Sequence, residues 1–297
     1  MQLRFTPLAA VLASTLLLAA CASGPAGSER EPDEGDEILA PTTGYATVAE
    51  AFLTANTPAE NTDSPASWTD DAGRTLLVAT AKDTHRLNVY DGDTGEHIRD
   101  VGGEGPGLGE FNRPNGIAVL DDLLLVVERD NRRVQVLQLP GFESLGAFGQ
   151  DELRQPYGLW VNRLANGVVE VLVSDNYMSP QNEDVPPPLT ELGQRFKRYQ
   201  LRRVPTGWQA KLMGSFGETT DAGAVRIAES VFGDVENDRL LLAEEDVATG
   251  TRLREYDLEG RYRGRDIGAD LFKAQAEGMA LMRCEGGAGY WIATDQF

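Results

Sequence analysis

The sequence predicts an all-β fold of the β-propeller type, and three observations carry that expectation. One unit recurs along the chain: a small-residue turn, a short apolar strand, a polar turn, and a second strand ending in polar or charged residues. Its clearest copy runs from Glu229 through the turn Glu236-Asn237-Asp238 and the strand Leu240-Leu241-Leu242-Ala243 to Glu244, Glu245 and Asp246. The chain also holds 32 Gly and 15 Pro, with turn pairs at Asp91-Gly92, Asn115-Gly116 and Asn166-Gly167 that mark hairpins. Long amphipathic helical patterns are absent, and only residues 48–53 suggest a helical turn.

The copies follow one another in order. The first is faint, from Asp63-Ser64-Pro65-Ala66 through residues 76–80 to Lys82. The second opens at Pro114-Asn115-Gly116 and delivers Glu128-Arg129-Asp130; the third opens at Pro156-Tyr157-Gly158 and ends in Ser174-Asp175-Asn176. The fourth holds Glu229, and the fifth runs from Ala276-Glu277-Gly278 to Thr294-Asp295-Gln296. The first four continue into a third strand at residues 86–90, 133–137, 196–199 and 253–256. Spacings on the order of 40 to 70 residues suit propeller blades better than helical or leucine-rich repeats.

The N-terminus reads as a targeting segment. Arg4 precedes an apolar run at 8–18, and Leu18-Ala19-Ala20-Cys21 has the small-residue pattern of a cleavage site, so residues 1–20 are expected to be a signal peptide. The run is too short for a membrane-spanning helix. Cys21 directly after the site resembles a bacterial lipobox, in which that cysteine is lipidated; an ordinary signal with a chance cysteine is the alternative. With Ala22 following, the resemblance implies an outer-membrane lipoprotein tethered outside the cytoplasmic membrane, and otherwise a secreted protein. Residues 21–45 are rich in Gly, Pro, Ser, Glu and Asp without apolar periodicity, which implies a flexible stalk. Residues 46–297 are left for one domain, expected to be monomeric.

A formal charge of −20 opposes nucleic-acid binding and is compatible with cations. The only cysteine besides Cys21 is Cys284, read as a small core hydrophobe. His85 and His97, the two histidines, are too scattered for a zinc site or a Ser/His/Asp triad. The carboxylates are the chemical signal. In a propeller the ends of equivalent strands converge on a central channel, so Asp63, Glu229, Glu244, Glu245, Asp246 and Glu277 could meet there. Such a gathering is tolerable if a cation sits among them, and calcium accepts about six to eight oxygen ligands in loose geometry. A solvated acidic turn at 244–246 is the plainer reading.

Two resemblances extend this. Residues 102–117, Gly-Gly-Glu-Gly-Pro-Gly-Leu-Gly-Glu-Phe-Asn-Arg-Pro-Asn-Gly-Ile, with Asp130-Asn-Arg-Arg-Val-Gln-Val136 after them, look like an NHL repeat, which speaks to blade geometry and little to function. From about Asp63 onward the chain resembles the β-propeller phytases, calcium-dependent six-bladed enzymes that remove phosphates from inositol hexakisphosphate. Asp63-Ser-Pro-Ala-Ser-Trp68 is similar to the family's Asp-Asp-Pro-Ala-Ile-Trp, and Ala243-Glu-Glu-Asp246 is identical to its ligand run. The resemblance implies calcium contacts at Asp63, Tyr157, Glu229, Glu244, Glu245, Asp246 and Glu277, and phosphate contacts at Lys82 and at Arg129 or Arg132. It also implies six blades, the last incomplete where the chain stops at Phe297. Asn176 stands where the family has a phosphate-binding lysine, and Ser230-Val231 where it has Gly-Met. The expected function is therefore a calcium-dependent phosphomonoester hydrolase acting on an inositol phosphate, and the alternative is a non-catalytic propeller binding a protein or glycan at the cell envelope.

Overall fold

The structure is a computed structural model that describes residues 48–55, 57–182, 184–205, 207–284 and 288–296. The expected signal peptide, Cys21 and the stalk lie outside the described residues. Residues 48–53 do not form the expected helical turn and run without regular structure to a single-turn 3-10 helix, Pro58–Glu60. Among the described residues no helix is long and apolar enough to cross a membrane.

The chain is all-β and propeller-like. Four antiparallel sheets have four strands each, in chain order: β1 (Thr62–Thr69) to β4 (His97–Gly102) with β2 (Thr75–Ala81) and β3 (Arg86–Asp91) between them, then β5 (Pro114–Leu120), β6 (Leu123–Glu128), β7 (Arg133–Gln138) and β8 (Glu143–Phe148). The third sheet comprises β9 (Pro156–Arg163), β10 (Val169–Asp175), β11 (Phe196–Val204) and β12 (Gly207–Phe216); the fourth comprises β13 (Ala228–Asp234), β14 (Arg239–Glu244), β15 (Arg252–Tyr256) and β16 (Tyr262–Ile267). A fifth sheet pairs β17 (Gln275–Arg283) with β18 (Gly289–Gln296). The first strands of successive sheets pack on one another, β1 on β5, β5 on β9, β9 on β13 and β13 on β17.

Packing face to face explains the unbroken apolar runs. Leu124 and Val126 of β6 face the first sheet beside Trp68, Val78 and Leu87, whereas Leu123, Leu125 and Val127 face the third beside Val169, Val171 and Val173. A strand buried on both sides cannot alternate apolar with polar residues, and each such side chain contributes roughly 1.5–3 kcal/mol. Trp160 and Leu172 meet Leu240 and Leu242 in the same way, and Leu241 and Ala243 meet Ala276, Met279 and Trp291. Cys284 follows β17 and is half-buried, at the sheet's end and not within its core.

Polar bonds lock each sheet at its entrance. In four sheets the second strand carries an acid opposite the residue that precedes the first strand's bulge, and its carboxylate accepts backbone N–H groups from the segment leading into that strand. Glu128 accepts from Asn112 (3.1 Å), Asp175 from Arg154 and Gln155 (3.0 and 2.8 Å), Glu244 from Arg226 and Ile227 (2.8 and 3.0 Å), and Asp295 from Lys273 and Ala274 (3.0 and 2.9 Å). The first sheet has Ala81 there, and Glu60 of the 3-10 helix supplies the carboxylate instead, accepting from Arg86 and Asn88.

The second sheet carries this furthest, because Glu128 is fully buried and also accepts from the buried Arg133 (2.6 Å) and from Gln135 (2.8 Å). Removing one partner of a buried pair strands the other. Glu128→Ala is expected to cost about 3–5 kcal/mol, whereas Glu259→Ala, at an exposed pair with Arg261, changes stability by less than about 0.5 kcal/mol. Urea unfolding midpoints of the two variants measure the contrast.

Candidate functional site

The first two strands of all five sheets share an irregularity. The register passes from Thr62↔Ala81 to Pro65↔Ala79, from Pro114↔Glu128 to Ile117↔Val126, from Pro156↔Asp175 to Leu159↔Val173, from Ala228↔Glu244 to Val231↔Leu242, and from Ala276↔Asp295 to Met279↔Ala293. Each time two residues of the first strand stand against one of the second, which is a β-bulge, and such bulges re-aim side chains. The first bulge residues are Asp63, Asn115, Tyr157, Glu229 and Glu277. The second are Ser64, Gly116, Gly158, Ser230 and Gly278.

The small second residue has a steric cause. A Cβ on Gly116 would lie 2.6 Å from the Tyr157 carbonyl oxygen, and one on Gly158 would lie 2.6 Å from that of Glu229. Successive bulges therefore stack backbone on backbone. Hydroxyls on the facing strand tie them down: Ser174 Oγ accepts from Gly158 N (2.7 Å) and donates to Glu229 O (2.6 Å), Thr80 Oγ1 accepts from Ser64 N (3.1 Å), and Thr294 Oγ1 donates to Gly278 O (3.1 Å).

Side chains from four sheets meet as a result. Lys82 Nζ lies 3.7 Å from Asp63 Oδ2 in its own sheet and donates to the Tyr157 hydroxyl of the third (3.4 Å). Glu229, in the fourth sheet, has its pKa pushed well above 4.5, first by burial, then by Glu277 of the fifth sheet and Asp63 of the first; the Ser230 hydroxyl and Lys82 oppose the rise. Lys82, Tyr157 and Glu229 are buried, while Asp63 and Glu277 are partly exposed. A cleft of about 540 Å³ opens on the Asp63 side, lined also by Asn61, Pro65, Leu77 and Tyr90.

A second register position surrounds the first. Lys82, Arg129, Asn176 and Glu245 each follow the second strand of their sheet and donate their backbone N–H to the entering segment, at Asn61, Arg113, Gln155 and Ile227 respectively (3.0, 3.1, 2.7 and 3.1 Å). Arg129 Nε pairs with Asp130 at 2.7 Å, and the Asn176 amide oxygen accepts from Ala228 N at 2.9 Å. Glu245 is buried here.

The structure thus brings Lys82, Asp63, Tyr157, Glu229 and Glu277 together, with Arg129 and Glu245 at the surrounding position. Glu244 and Asp246 have other work. Glu244 is fully buried with its oxygens on the backbone N–H groups of Arg226, Ile227 and Asp246; burial raises its pKa and those three bonds oppose the rise. Asp246 closes its own turn, accepting from Ala248 N (3.0 Å) and Thr249 Oγ1 (2.6 Å), with Arg226 Nε at 3.9 Å. Asn115 is the bulge residue that sequence reasoning passed over, although its Pro-Asn-Gly triplet matches Pro-Tyr-Gly at Tyr157.

Asp63 lies 3.7 Å from the Lys82 ammonium and, with Glu277, acts electrostatically on the buried Glu229, so carboxylates outnumber ammonium groups in this partly buried setting. The donor atoms are hard oxygens, the kind that calcium takes, but their placement is a separate matter. Carboxylates alone do not complete a site: among the described residues no group of three or more His, Cys, Asp or Glu side chains is placed to hold a metal ion.

No family model matches the chain, and no curated protein sequence matches it. Among solved structures it is similar to hydrazine synthase of Kuenenia stuttgartiensis, with a TM-score of 0.45 and 11% identity, over 82% of this chain and 57% of that one. The chain therefore spans little more than half the length of that neighbour.

The Glu229 shift has a testable sign. Its folded-state pKa lies above 4.5, so the folded chain retains a proton that the unfolded chain has released. Metal-free stability therefore falls as pH rises from about 4.5 through the folded pKa. Glu229→Gln is expected to raise the melting temperature in chelator at about pH 7.5 and to leave it unchanged near pH 4. Scanning fluorimetry across that range decides it; an offset independent of pH would contradict the assignment.

Proposed function

We propose that this chain is a calcium-dependent phosphomonoester hydrolase acting on inositol hexakisphosphate, exported and anchored at the cell envelope through Cys21, with its sheets arranged as part of a six-bladed ring. The observation that carries the reading is the convergence of Asp63, Glu229 and Glu277 with Lys82 and Tyr157 from four different sheets. An acidic mouth on a chain of net charge −20 repels a polyphosphate. Calcium, if bound there, would supply positive charge to offset that repulsion and a Lewis acid for a phosphoryl oxygen.

The chain's own residues divide the remaining tasks. On this reading Asp63, Glu229 and Glu277 are the candidate ligands, although as placed they form no metal-binding group. Lys82 is held toward the ring by Asp63 and Tyr157, so its ammonium reaches the same centre that a bound phosphate would occupy and can take up charge developing on its oxygens. Arg129 provides a second cation one sheet away. Burial of Lys82 limits water around that ammonium, which strengthens its attraction for an anion.

One observation favours a non-catalytic propeller that binds a protein or glycan. Lys82 and Arg129 already face carboxylates, Asp63 and Asp130, and the amide of Asn176 at the equivalent position offers no charge. Phosphate release from inositol hexakisphosphate separates the two readings. Release is expected with calcium and not with chelator, and Lys82→Met is expected to lower its rate by on the order of 10²–10³ with calcium-linked melting retained. No release by a calcium-stabilised protein would leave the binding reading standing.

A further inference from the structure

Three cations gather around Tyr177, just past the end of β10. The Arg154 guanidinium lies 3.2 Å from the Tyr177 ring centre and that of Arg195 lies 4.5 Å from it, while the buried Lys197 ammonium stands 3.6 Å from Asp175. Two of the three have their donors engaged. Arg195 is fully buried and gives its N–H groups to the carbonyls of Asp175, Tyr177, Val225 and Arg226, and Lys197 donates to the backbone and side-chain oxygens of Gln194 at 3.2 Å. Arg154 differs. It is exposed, and among the described residues its side chain makes no hydrogen bond or ion pair, only the ring contact. The nearby acids are taken up elsewhere: Asp175 accepts from the backbone N–H groups of Arg154 and Gln155 and faces Lys197, and Glu244 is bonded to backbone N–H groups of its own sheet; exposed Glu152 acts on Lys197 through space.

A guanidinium laid on an aromatic ring is held in one plane, so its N–H fork is set for a pair of oxygens at little further cost in side-chain freedom. Its place in the fold gives that fork a use. Arg154 sits on the segment entering β9, its own backbone N–H fixed by Asp175 at 3.0 Å, and the next residue, Gln155, takes the backbone N–H of Asn176 at 2.7 Å. Arg154 therefore stands at the mouth end of the third sheet, beside the register position where the first two sheets carry Lys82 and Arg129 and the third carries only an amide. We propose that Arg154, stacked on Tyr177, is an oxyanion-binding residue that takes a phosphate monoester group at the mouth end of the third sheet. The inference rests on the phosphate reading of the mouth for the ligand's identity and does not depend on calcium. Burial lowers the pKa of both Arg195 and Lys197, and the Arg154 charge adds to the fall in each. A phosphate on Arg154 offsets that repulsion, while the donors of the other two, held by the chain's own oxygens, leave the fork to set the geometry.

The test titrates inorganic phosphate and inositol hexakisphosphate calorimetrically into the full chain, in chelator and at low salt. The wild type is expected to bind both. Arg154→Met keeps a long side chain over the ring and removes the fork, so it is expected to weaken both by on the order of tenfold or more and to melt near the wild-type temperature in their absence. Arg154→Lys keeps the charge without the fork and is expected to fall between the two. Arg163→Met removes an exposed cation paired with Asp121 and is expected to bind phosphate as the wild type does. No phosphate binding by the wild type, wild-type affinity in Arg154→Met, an equal loss in Arg163→Met, or acetate bound as tightly as phosphate overturns the assignment. Should Arg154→Met fail to fold, Arg154→Lys decides alone, because full affinity there means that the fork has no part in binding. Phosphate binding that depends on Arg154 in a chain with no calcium-linked rise in melting temperature sustains the assignment and removes the calcium reading. Calcium-dependent phosphate release that Arg154→Met leaves at the wild-type rate and KM overturns the assignment and leaves the hydrolase standing.

Discussion

The β-bulge at the entrance of each first strand is the constraint on which the rest depends. One extra residue per sheet lifts a side chain out of the pleat and presses the next residue's backbone against the neighbouring sheet, which is why Gly116 and Gly158 have no room for a Cβ. The same distortion frees backbone groups from the ladder. Hydroxyls at Thr80, Ser174 and Thr294 take some of them up, and the second-strand acids Glu128, Asp175, Glu244 and Asp295 secure the chain just before the bulge. Local satisfaction of polar groups thus fixes where five side chains point, independently of what those side chains are.

That independence explains the electrostatics. A scaffold that positions residues by backbone geometry tolerates like charges that would otherwise separate, and Glu229 registers the cost as a raised pKa caused by burial and by Glu277 and Asp63. Apolar packing between sheets supplies the opposing stability. Leu123, Leu125 and Val127 on one face of β6, and Leu124 and Val126 on the other, are all buried, so strain at the mouth is carried by a core that does not touch it.

The repeat and its second strands were legible because both-sided burial demands long apolar runs such as Leu240-Leu241-Leu242-Ala243. The outer strands were not. β4, His97–Gly102, is almost wholly exposed and reads His-Ile-Arg-Asp-Val-Gly, with no alternation to betray a strand whose pairing is all backbone. The acidic run at 244–246 misled for a different reason. Sequence adjacency suggested one cluster, but strand geometry sends consecutive residues apart: Glu244 ends the ladder and turns to its own backbone, Glu245 stands at the register position of Lys82, and Asp246 caps the turn. Asn115 was overlooked because an Asn-Gly pair signals a turn so strongly that its equivalence to Tyr157 is visible only in the register.

The surrounding position shows how one scaffold site acquires a direction. Lys82, Arg129, Asn176 and Glu245 hold the same backbone bond in four successive sheets, yet they run from cationic through neutral to anionic. Within the ring the order differs: Asn115 and Tyr157 are neutral in the sheets of Arg129 and Asn176, Glu229 shares the fourth sheet with Glu245, Glu277 lies in the fifth, and the first sheet sets an acid, Asp63, against a cation, Lys82. The mouth is therefore polarised across its width. Under the proposed function a cation would lie toward the side formed by the fourth, fifth and first sheets, and an anion entering with it would meet Lys82 at the edge of that side and Arg129 beyond. A ligand with charge of one sign gains from half of this arrangement, whereas a paired cation and polyanion gain from all of it. Under the proposed function, that difference is what would make the two together a better ligand than either alone.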